Sequence, residues 1–320
     1  MICPGSVLSA RTQTLRGHRP GSCDDLPGAI QPMRKVMKWL FNAAAALWLT
    51  VLSGGAIAAV AQTVHFMSAD GETRLTGYLF LPSTPGPHPA VVMLHGRAGP
   101  YSSLKRGRHT ADALTMRHKM WGSFWAERGY VAIHVDSFGP RGYGDGFGRH
   151  SYSSRPLEVS EQAVRPLDAY GALAYLRGRS DVVPERIGVQ GWSNGGMTVL
   201  AALGPQPPGL RNPTPVSGLR AAIAQYPSCR VQAAQADYLP YAPLLIAVAE
   251  DDNEVSPTVC RSFAEVLRAR GGDVEFIWYD GAHHSYDDPG KTKQSHAPNR
   301  LALRDTLIRA EVFFAKHLRP

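Results

Sequence analysis

The chain has 320 residues, of which 44% are hydrophobic and 19% are charged, and this length suits one large α/β domain or two small ones. The 32 glycines and 25 prolines make up a smaller fraction of the chain than in low-complexity proteins, which excludes collagens and wholly disordered proteins. Four cysteines are too few for a small protein held together by disulfides. The formal net charge of +8 raises the question of a nucleic-acid or anionic-membrane partner, and the answer depends on where that charge lies.

Residues 33–61 have the composition of a secretory signal peptide. A charge-free run at 39–60 leads into Ala59-Val60-Ala61, which fits a small-x-small cleavage site, and the run is preceded by three basic residues, Arg34, Lys35 and Lys38. An uncleaved membrane anchor is the alternative, because a run of this length can cross a bilayer. Asn42 and the Gly54-Gly55 pair argue against an anchor, so we expect cleavage and a periplasmic or secreted protein.

Residues 1–32 precede this segment and show no apolar periodicity. Because a signal peptide normally stands at the start of a chain, we expect the true start at Met33 or Met37, with residues 1–32 either upstream of the start codon or disordered. Residues 1–61 hold six basic and two acidic side chains, and without them the net charge falls from +8 to +4. The basic cluster that remains at 105–119 is predicted to be a solvated loop and helix face, so no nucleic-acid partner is expected.

From Thr63 onward, segments with strand and helix patterns alternate. Short apolar runs between turn residues predict strands at residues 74–81, 90–94, 130–135, 186–190, 221–225, 244–249 and 274–279. Apolar positions near helical spacing predict helices at residues 113–128, 165–177, 195–203, 258–270 and 301–318. This order predicts an α/β fold over residues 62–320, with a mostly parallel central sheet of about eight strands and helices on both faces. The strand at 74–81 ends at Pro82, which is typical of an edge strand.

The segment 137–155 follows a predicted strand and holds five glycines. A loop at the carboxyl end of a parallel strand is where ligands bind in open α/β sheets. A plain surface loop has the same composition, so the sequence leaves both interpretations open.

The sequence Gly191-Trp192-Ser193-Asn194-Gly195 is a G-x-S-x-G motif between a predicted strand and a predicted helix. This arrangement is typical of a nucleophile elbow, in which a tight turn needs glycine on both sides and lifts the serine hydroxyl above the sheet. Ser193 is therefore the candidate nucleophile, and the Asn194 N–H is a candidate donor to the oxyanion. The alternative is a glycine-rich turn of another α/β fold.

A serine nucleophile needs a base and an acid, which follow it in chain order in this type of site. The acidic cluster at 250–254 comes after the strand at 244–249, and the pair His283-His284 comes after the strand at 274–279. Because parallel strands end at one edge of a sheet, we expect both groups near Ser193.

Asp252 is preferred as the acid over Asp251 and the glutamates, because the acid usually stands a few residues past the strand. Glu254 is expected to be a solvated charge. His284 is preferred as the base, and His283 is expected to pack beside the site or to hydrogen-bond the loop.

The second oxyanion donor is expected from the loop after the strand at 90–94, with the backbone N–H of Arg97 as the candidate. His95 in that loop is expected to be structural and not a second base. Trp192 and His283 are further candidates for contacts with the substrate.

Cys229 and Cys260 are the two cysteines after residue 61. One follows a predicted strand and the other begins the helix after the acidic loop, so neighbouring strands would bring both to one edge. In an oxidising compartment we expect them to form a disulfide, and two separate free thiols are the alternative.

Five blocks of sequence resemble the dienelactone hydrolase family of α/β-hydrolases, in the family's order, across residues 63–318. They are VVMLHGRAGP, GYVAIHVDSFGPRG, GVQGWSNGG, LLIAVAEDDNEVSP and YDGAHHSYDDP. The resemblance implies a hydrolase of esters or lactones that uses no cofactor, with the triad on Ser193, Asp252 and His284. It also places Arg141 in a block similar to the family, where it would either bind a substrate carboxylate bidentately or tie down its own loop.

The enzymes that give this family its name use a cysteine nucleophile and are mainly cytoplasmic, whereas residue 193 is serine and the chain carries an export pattern. We therefore expect a general carboxylesterase with a small-molecule ester or lactone substrate, no metal site, and membrane contact only through an uncleaved signal segment. A serine peptidase or amide hydrolase on the same fold is one alternative, since the acyl-enzyme chemistry is shared. A non-catalytic binding protein is the other, and the complete Ser, His and Asp set argues against it.

Overall fold

One eight-stranded sheet runs through residues 61–319, the part of the chain that the computed structural model describes. Its strands are β1 (Gln62–Met67), β2 (Arg74–Phe80), β3 (His88–Leu94), β4 (Val131–Asp136), β5 (Val182–Trp192), β6 (Ala222–Gln225), β7 (Leu244–Ala249) and β8 (Val274–Tyr279). They lie in the order β1-β2-β4-β3-β5-β6-β7-β8, and only the two pairs made by β2 are antiparallel among these described strands. The predicted α/β class and mostly parallel sheet are confirmed.

Strand β2 lies inside the sheet, so the prediction of an edge strand at 74–81 is wrong. β1 pairs with it antiparallel from Gln62 to Met67, and β4 pairs with its other side. Most of β1 is exposed and only Phe66 within it is buried, as expected for a strand at the edge of a sheet. Because its apolar pattern is weak, the strand was not predicted from the sequence. Pro82 follows the last paired residue of β2, so it removes no hydrogen bond from the sheet.

Helices cover both faces of the sheet. They are α1 (Met116–Glu127), α2 (Arg165–Arg177), α3 (Asn194–Ala202), α4 (Arg230–Ala233), α5 (Pro257–Ala269), α6 (Lys291–Gln294) and α7 (Ala297–Leu318). Buried side chains of α2, α3 and α5 share one hydrophobic cluster, and those of α1 and α7 share a second. Strand β3 shows the division, because Val92 and Leu94 join the first cluster while Val91 and Met93 join the second.

Two helices and one strand begin three or more residues away from their predicted starts. α1 begins at Met116 because Thr115 caps it, its hydroxyl accepting a hydrogen bond from the His118 N–H at 3.3 Å. α7 begins earlier than residue 301, with Pro298 in its first turn, where a helix needs no N–H donor. β5 begins at Val182, before an irregular stretch in its pairing with β3 that interrupts the apolar pattern.

Cys229 and Cys260 form the predicted disulfide, with their Cα atoms 5.2 Å apart. The bond joins the residue before α4 to α5, and both cysteines are buried. Because α5 begins directly after the acidic loop, the disulfide fixes one end of that loop to the connection that follows β6.

Replacing both cysteines with serine is expected to lower the free energy of unfolding by about 3–4 kcal/mol, because the bond closes a long loop in the unfolded chain. Denaturant unfolding of the double variant beside the parent, without reductant, measures the difference. Two free thiols titrated in the denatured parent would contradict the bond, and a loss below about 1 kcal/mol would contradict its stabilising role.

No helix between residues 61 and 319 is long and apolar enough to cross a membrane. The predicted signal peptide at 33–61, apart from Ala61, and the predicted extension at 1–32 lie outside the described residues.

Candidate active site

The chain turns sharply at the end of β5, where Ser193 has φ 53° and ψ −115° before α3 begins at Asn194. This backbone conformation is unfavourable for a residue with a side chain and persists only where its surroundings enforce it. The flanking glycines are required by space, because a Cβ at Gly191 would collide with the Gly195 carbonyl and a Cβ at Gly195 with the Leu94 carbonyl. The turn therefore has the geometry of a nucleophile elbow.

Ser193, His284 and Asp252 form a continuous hydrogen-bonded chain. The Ser193 Oγ lies 3.0 Å from the His284 Nε2, and the His284 Nδ1 lies 2.7 Å from the Asp252 Oδ2. The side chains of His284 and Asp252 are only 5% and 1% exposed. Since the carboxylate accepts the Nδ1–H, the Nε2 lone pair faces the serine hydroxyl, which is the tautomer that a general base needs.

The loop after β7 presents Asp252, and not its neighbours, to the Nδ1 of the histidine. The second oxygen of Asp252 accepts a hydrogen bond from the Glu254 N–H at 2.8 Å, which fixes the carboxylate. Asp251 is exposed, and the Glu250 side chain accepts a hydrogen bond from the Gly281 N–H.

Glu254 is not the solvated charge that the sequence predicts. Its side chain is 14% exposed and pairs with Arg97 at 3.0 Å and with Arg149 at 3.1 Å. The expectation is wrong because both partners are distant in sequence, one in the loop after β3 and the other in the loop at 137–155.

Two backbone N–H groups next to Ser193, those of Arg97 and Asn194, donate to no acceptor among residues 61–319. The loop after β3 passes close to Ser193, since a Cβ added at Gly96 would stand 3.5 Å from the Ser193 Cβ. Asn194 is the first residue of α3, where unbonded N–H groups carry partial positive charge. Both candidates for an oxyanion hole therefore have a free donor.

Arg141 does not line the cavity beside Ser193, so the expected contact with substrate is not found. Its guanidinium donates to both oxygens of Asp168 at 2.9 and 2.8 Å and to the Ser137 carbonyl at 2.8 Å. These hydrogen bonds favour the other interpretation of Arg141, in which its side chain holds its own loop in place.

Trp192 and His283 do not line the cavity beside Ser193 either. The Trp192 side chain is fully buried in the second hydrophobic cluster, because successive residues of a strand point to opposite faces. His283 is exposed and stacks on His296 with ring centroids 4.1 Å apart. Neither side chain therefore lies where the expected contact with substrate would place it.

A cavity of about 680 Å³ opens beside Ser193. The loop at 137–155 supplies part of its wall, which favours the interpretation of that segment as a ligand-facing loop. Its wall holds the carboxylates of Asp252 and Glu254 and four arginines, namely Arg97, Arg149, Arg155 and Arg230. A smaller cavity of about 100 Å³, lined by Gly96, Thr115 and His284, also reaches Ser193.

A hydrogen-bonded cluster behind His284 has no counterpart among the sequence predictions. The Tyr226 ring packs edge-on against the imidazole with centroids 4.8 Å apart, and its hydroxyl donates to Asp287 at 2.5 Å. Asp287 is buried, accepts a hydrogen bond from the Trp121 Nε1 at 2.8 Å and lies 3.6 Å from Arg117. Arg117 is 15% exposed, so it departs from the expectation of a solvated cluster at 105–119. No motif signals this arrangement, because its members come from separate elements.

Three buried histidines pack against one another near the Ser193 turn. The His95 ring lies 6.3 Å from that of His134, which lies 4.0 Å from that of His118. The His95 Nε2 accepts a hydrogen bond from the Ser137 N–H at 3.2 Å, as suits the structural role expected for it. Among residues 61–319, no group of three or more His, Cys, Asp or Glu side chains is arranged to hold a metal ion.

Curated relatives match only part of the chain. The uncharacterized protein YfhR of Escherichia coli O157:H7 is 32% identical over 148 residues, which make up 45% of this chain and 42% of that protein. The putative hydrolase YtaP of Bacillus subtilis is 28% identical over 136 residues, which make up 41% of this chain and 44% of that protein. The chain thus spans less than half the length of these relatives.

Solved structures share the fold at low sequence identity. A putative dienelactone hydrolase from Klebsiella pneumoniae superposes with a TM-score of 0.59 at 16% identity, covering 80% of this chain and 100% of that chain. The dienelactone hydrolase-like promiscuous phosphotriesterase P91 from metagenomic libraries gives 0.58 at 17%, covering 81% and 99%. Esterase 2 of Thermogutta terrifontis with bound butyrate gives 0.55 at 21%, covering 82% and 96%.

The sequence profile of the dienelactone hydrolase family matches residues 75–318. This range contains most of the sheet, the complete G-x-S-x-G turn and both loops that carry Asp252 and His284. The chain therefore belongs to the dienelactone hydrolase family, as its five sequence blocks predicted.

Proposed function

We propose that the protein is an exported serine hydrolase that cleaves carboxylic esters or lactones through an acyl-enzyme. The observation that carries the proposal is the hydrogen-bonded chain from Ser193 through His284 to Asp252, placed beside a large cavity. Membership of a hydrolase family supports it, and so does the shared fold of the Thermogutta esterase, whose structures hold propionate or butyrate.

In the proposed reaction the Ser193 Oγ attacks the carbonyl carbon while the His284 Nε2 takes the hydroxyl proton. Asp252 accepts the Nδ1–H and stabilises the imidazolium. The N–H groups of Arg97 and Asn194 donate to the oxyanion, and its collapse expels the alkoxide, which takes the proton from His284. A water molecule then attacks the acyl-enzyme in the same way, so each cycle consumes one water and yields an acid and an alcohol, or a hydroxy acid from a lactone.

One arginine of the cavity wall suits a substrate that carries a negative charge at a distance from the ester. Arg230 is exposed on this wall, and no ion pair among the described residues involves it. Arg97 and Arg149 share the carboxylate of Glu254. The export part of the proposal rests on the signal pattern at 33–61 and on the Cys229–Cys260 disulfide, because such bonds persist in oxidising compartments.

Treatment with paraoxon or a fluorophosphonate is expected to add one phosphoryl or phosphonyl group per chain, on the peptide that contains Ser193. A serine hydroxyl reacts readily with these reagents when a neighbouring base activates it, and paraoxon phosphorylates the Thermogutta esterase that shares the fold. Mass spectrometry of the intact protein and its peptides measures the modification, with Ser193→Ala as the control. Panels of esters, lactones and amides run beside it identify the substrate class. Absence of labelling would favour a non-catalytic binding protein.

A further inference from the structure

Glu254 connects three loops of the site through its side chain and its backbone. The carboxylate accepts hydrogen bonds from the Arg97 Nε at 3.0 Å and from a terminal nitrogen of the same guanidinium at 3.1 Å. It also pairs with Arg149 at 3.1 Å. The Glu254 N–H donates to Asp252, whose other oxygen holds His284. One residue thus joins the loop after β3, the loop at 137–155 and the acidic loop.

The Glu254 carboxylate also lies beside the proposed base. Its Oε2 is 3.8 Å from the His284 Nε2, the nitrogen that faces the Ser193 hydroxyl. Burial acts to raise the pKa of the Glu254 carboxyl, but the hydrogen bond from Arg97 and the charges of His284, Arg97 and Arg149 outweigh it and hold the pKa below its ordinary value. The group is therefore ionised at neutral pH.

We propose that Glu254 is a positioning residue of the hydrolysis, which holds the Arg97 loop so that the Arg97 N–H meets the oxyanion formed at Ser193. This inference rests on the proposed function. A bidentate contact between arginine and a carboxylate fixes both the distance and the relative plane of the two groups, so it suits a loop whose backbone must stay in place. The negative charge of Glu254 also favours the imidazolium that forms at His284 in each step.

Other charged or titratable groups face His284, and the experiment must separate Glu254 from them. They are Asp252 on the ring Nδ1, Tyr226 against the ring, Lys293 on the backbone carbonyl at 2.7 Å, Arg117 at the small cavity, and Arg97 and Arg149 behind Glu254. Among the described residues, only Asp252 and Glu254 bring a carboxylate within 4.0 Å of the imidazole nitrogens. Removing the charge of Glu254 therefore changes the electrostatics of the ring with Asp252 left intact.

Steady-state kinetics of Glu254→Gln with a neutral ester test the proposal. We expect kcat to fall about 10- to 100-fold with KM within about 3-fold, because the variant still binds substrate but holds the oxyanion donor loosely. We also expect the acid-side pH at which kcat/KM is halved to move down by about 0.5 to 1, because the imidazolium loses a nearby negative charge. Asp251→Asn is the matched control, since it removes one charge from an exposed side chain of the same loop.

Two further variants keep the test decisive if Glu254→Gln is unstable. Glu254→Asp keeps the charge and should recover part of kcat and the parent pH profile. Combining Glu254→Gln with Arg97→Gln should give a kcat within about 3-fold of the slower single variant, because the two residues act as one unit. Losses that multiply, or a Glu254→Gln enzyme with the parent kcat and pH profile, would overturn the role of Glu254. A parent that hydrolyses no ester would overturn the proposed function itself.

Discussion

His284→Ala is expected to lower kcat for a carboxylic ester by about 10⁴- to 10⁶-fold, while His283→Ala stays within about 2-fold of the parent. The adjacent histidines differ because only the ring of His284 bridges the Ser193 hydroxyl and the Asp252 carboxylate. His283 is exposed, and its one bond to the neighbouring helix is made by its backbone N–H, which alanine keeps. Steady-state hydrolysis of a short-chain nitrophenyl ester measures both variants.

Two variants of the other triad residues complete this comparison. Ser193→Ala should cost about as much as His284→Ala, because the members of a triad act as a unit. Asp252→Asn should cost about 10⁴-fold, because an amide turns the imidazole into the wrong tautomer. An inactive His283→Ala beside an active His284→Ala would move the base to the neighbouring residue, and equal activity in all four variants would rule out the acyl-enzyme.

The positions of the proposed acid and base could be predicted because they depend on local sequence. β7 is a fully buried apolar run and β8 is apolar apart from Glu275, so both strands have the predicted ends, at Ala249 and Tyr279. Asp252 and His284 follow those ends by a few residues, and parallel strands end at one edge of the sheet. Spacing along the chain was therefore enough to predict that both groups lie beside Ser193.

The contacts that depend on tertiary packing could not be predicted in the same way. Glu254 has no local sign of its pairing, because Arg97 comes from the loop after β3, far from it in the sequence. Trp192 directly precedes the nucleophile in the chain, yet the alternation of side chains along β5 buries it in the core. Arg141 has the charge that would bind a substrate carboxylate, but its guanidinium already donates to both oxygens of Asp168. In each case the surroundings of the side chain depend on residues that are distant in the sequence.

Stability is expected to fall as the pH drops below about 6.5, because three buried histidines take up protons when the chain unfolds. Burial lowers the pKa of His95, His118 and His134 well below the ordinary value, and neighbouring positive charges lower it further. These residues are neutral in the fold and protonate in the unfolded chain, so their contribution is complete above that pH and is lost below it. Each proton accounts for up to about 1.4 kcal/mol per pH unit, so the three lose about 4 kcal/mol between about pH 7 and pH 5.5.

His134→Phe tests this origin, because both ring nitrogens of His134 lack a partner among the described residues and its ring packs against His118 and Trp192. Phenylalanine fills similar space and takes no proton, so denaturant unfolding over this pH range should show a loss about one third smaller. His65→Phe, at an exposed position of β1, should keep the loss of the parent. Burial raises the pKa of Asp136, so this residue has the opposite effect on the pH dependence of stability. The effect is the same in the parent and in both variants, and it cancels when they are compared. A parent with constant stability over this range would contradict the prediction, because the folded protein would then take up these protons as readily as the unfolded chain does.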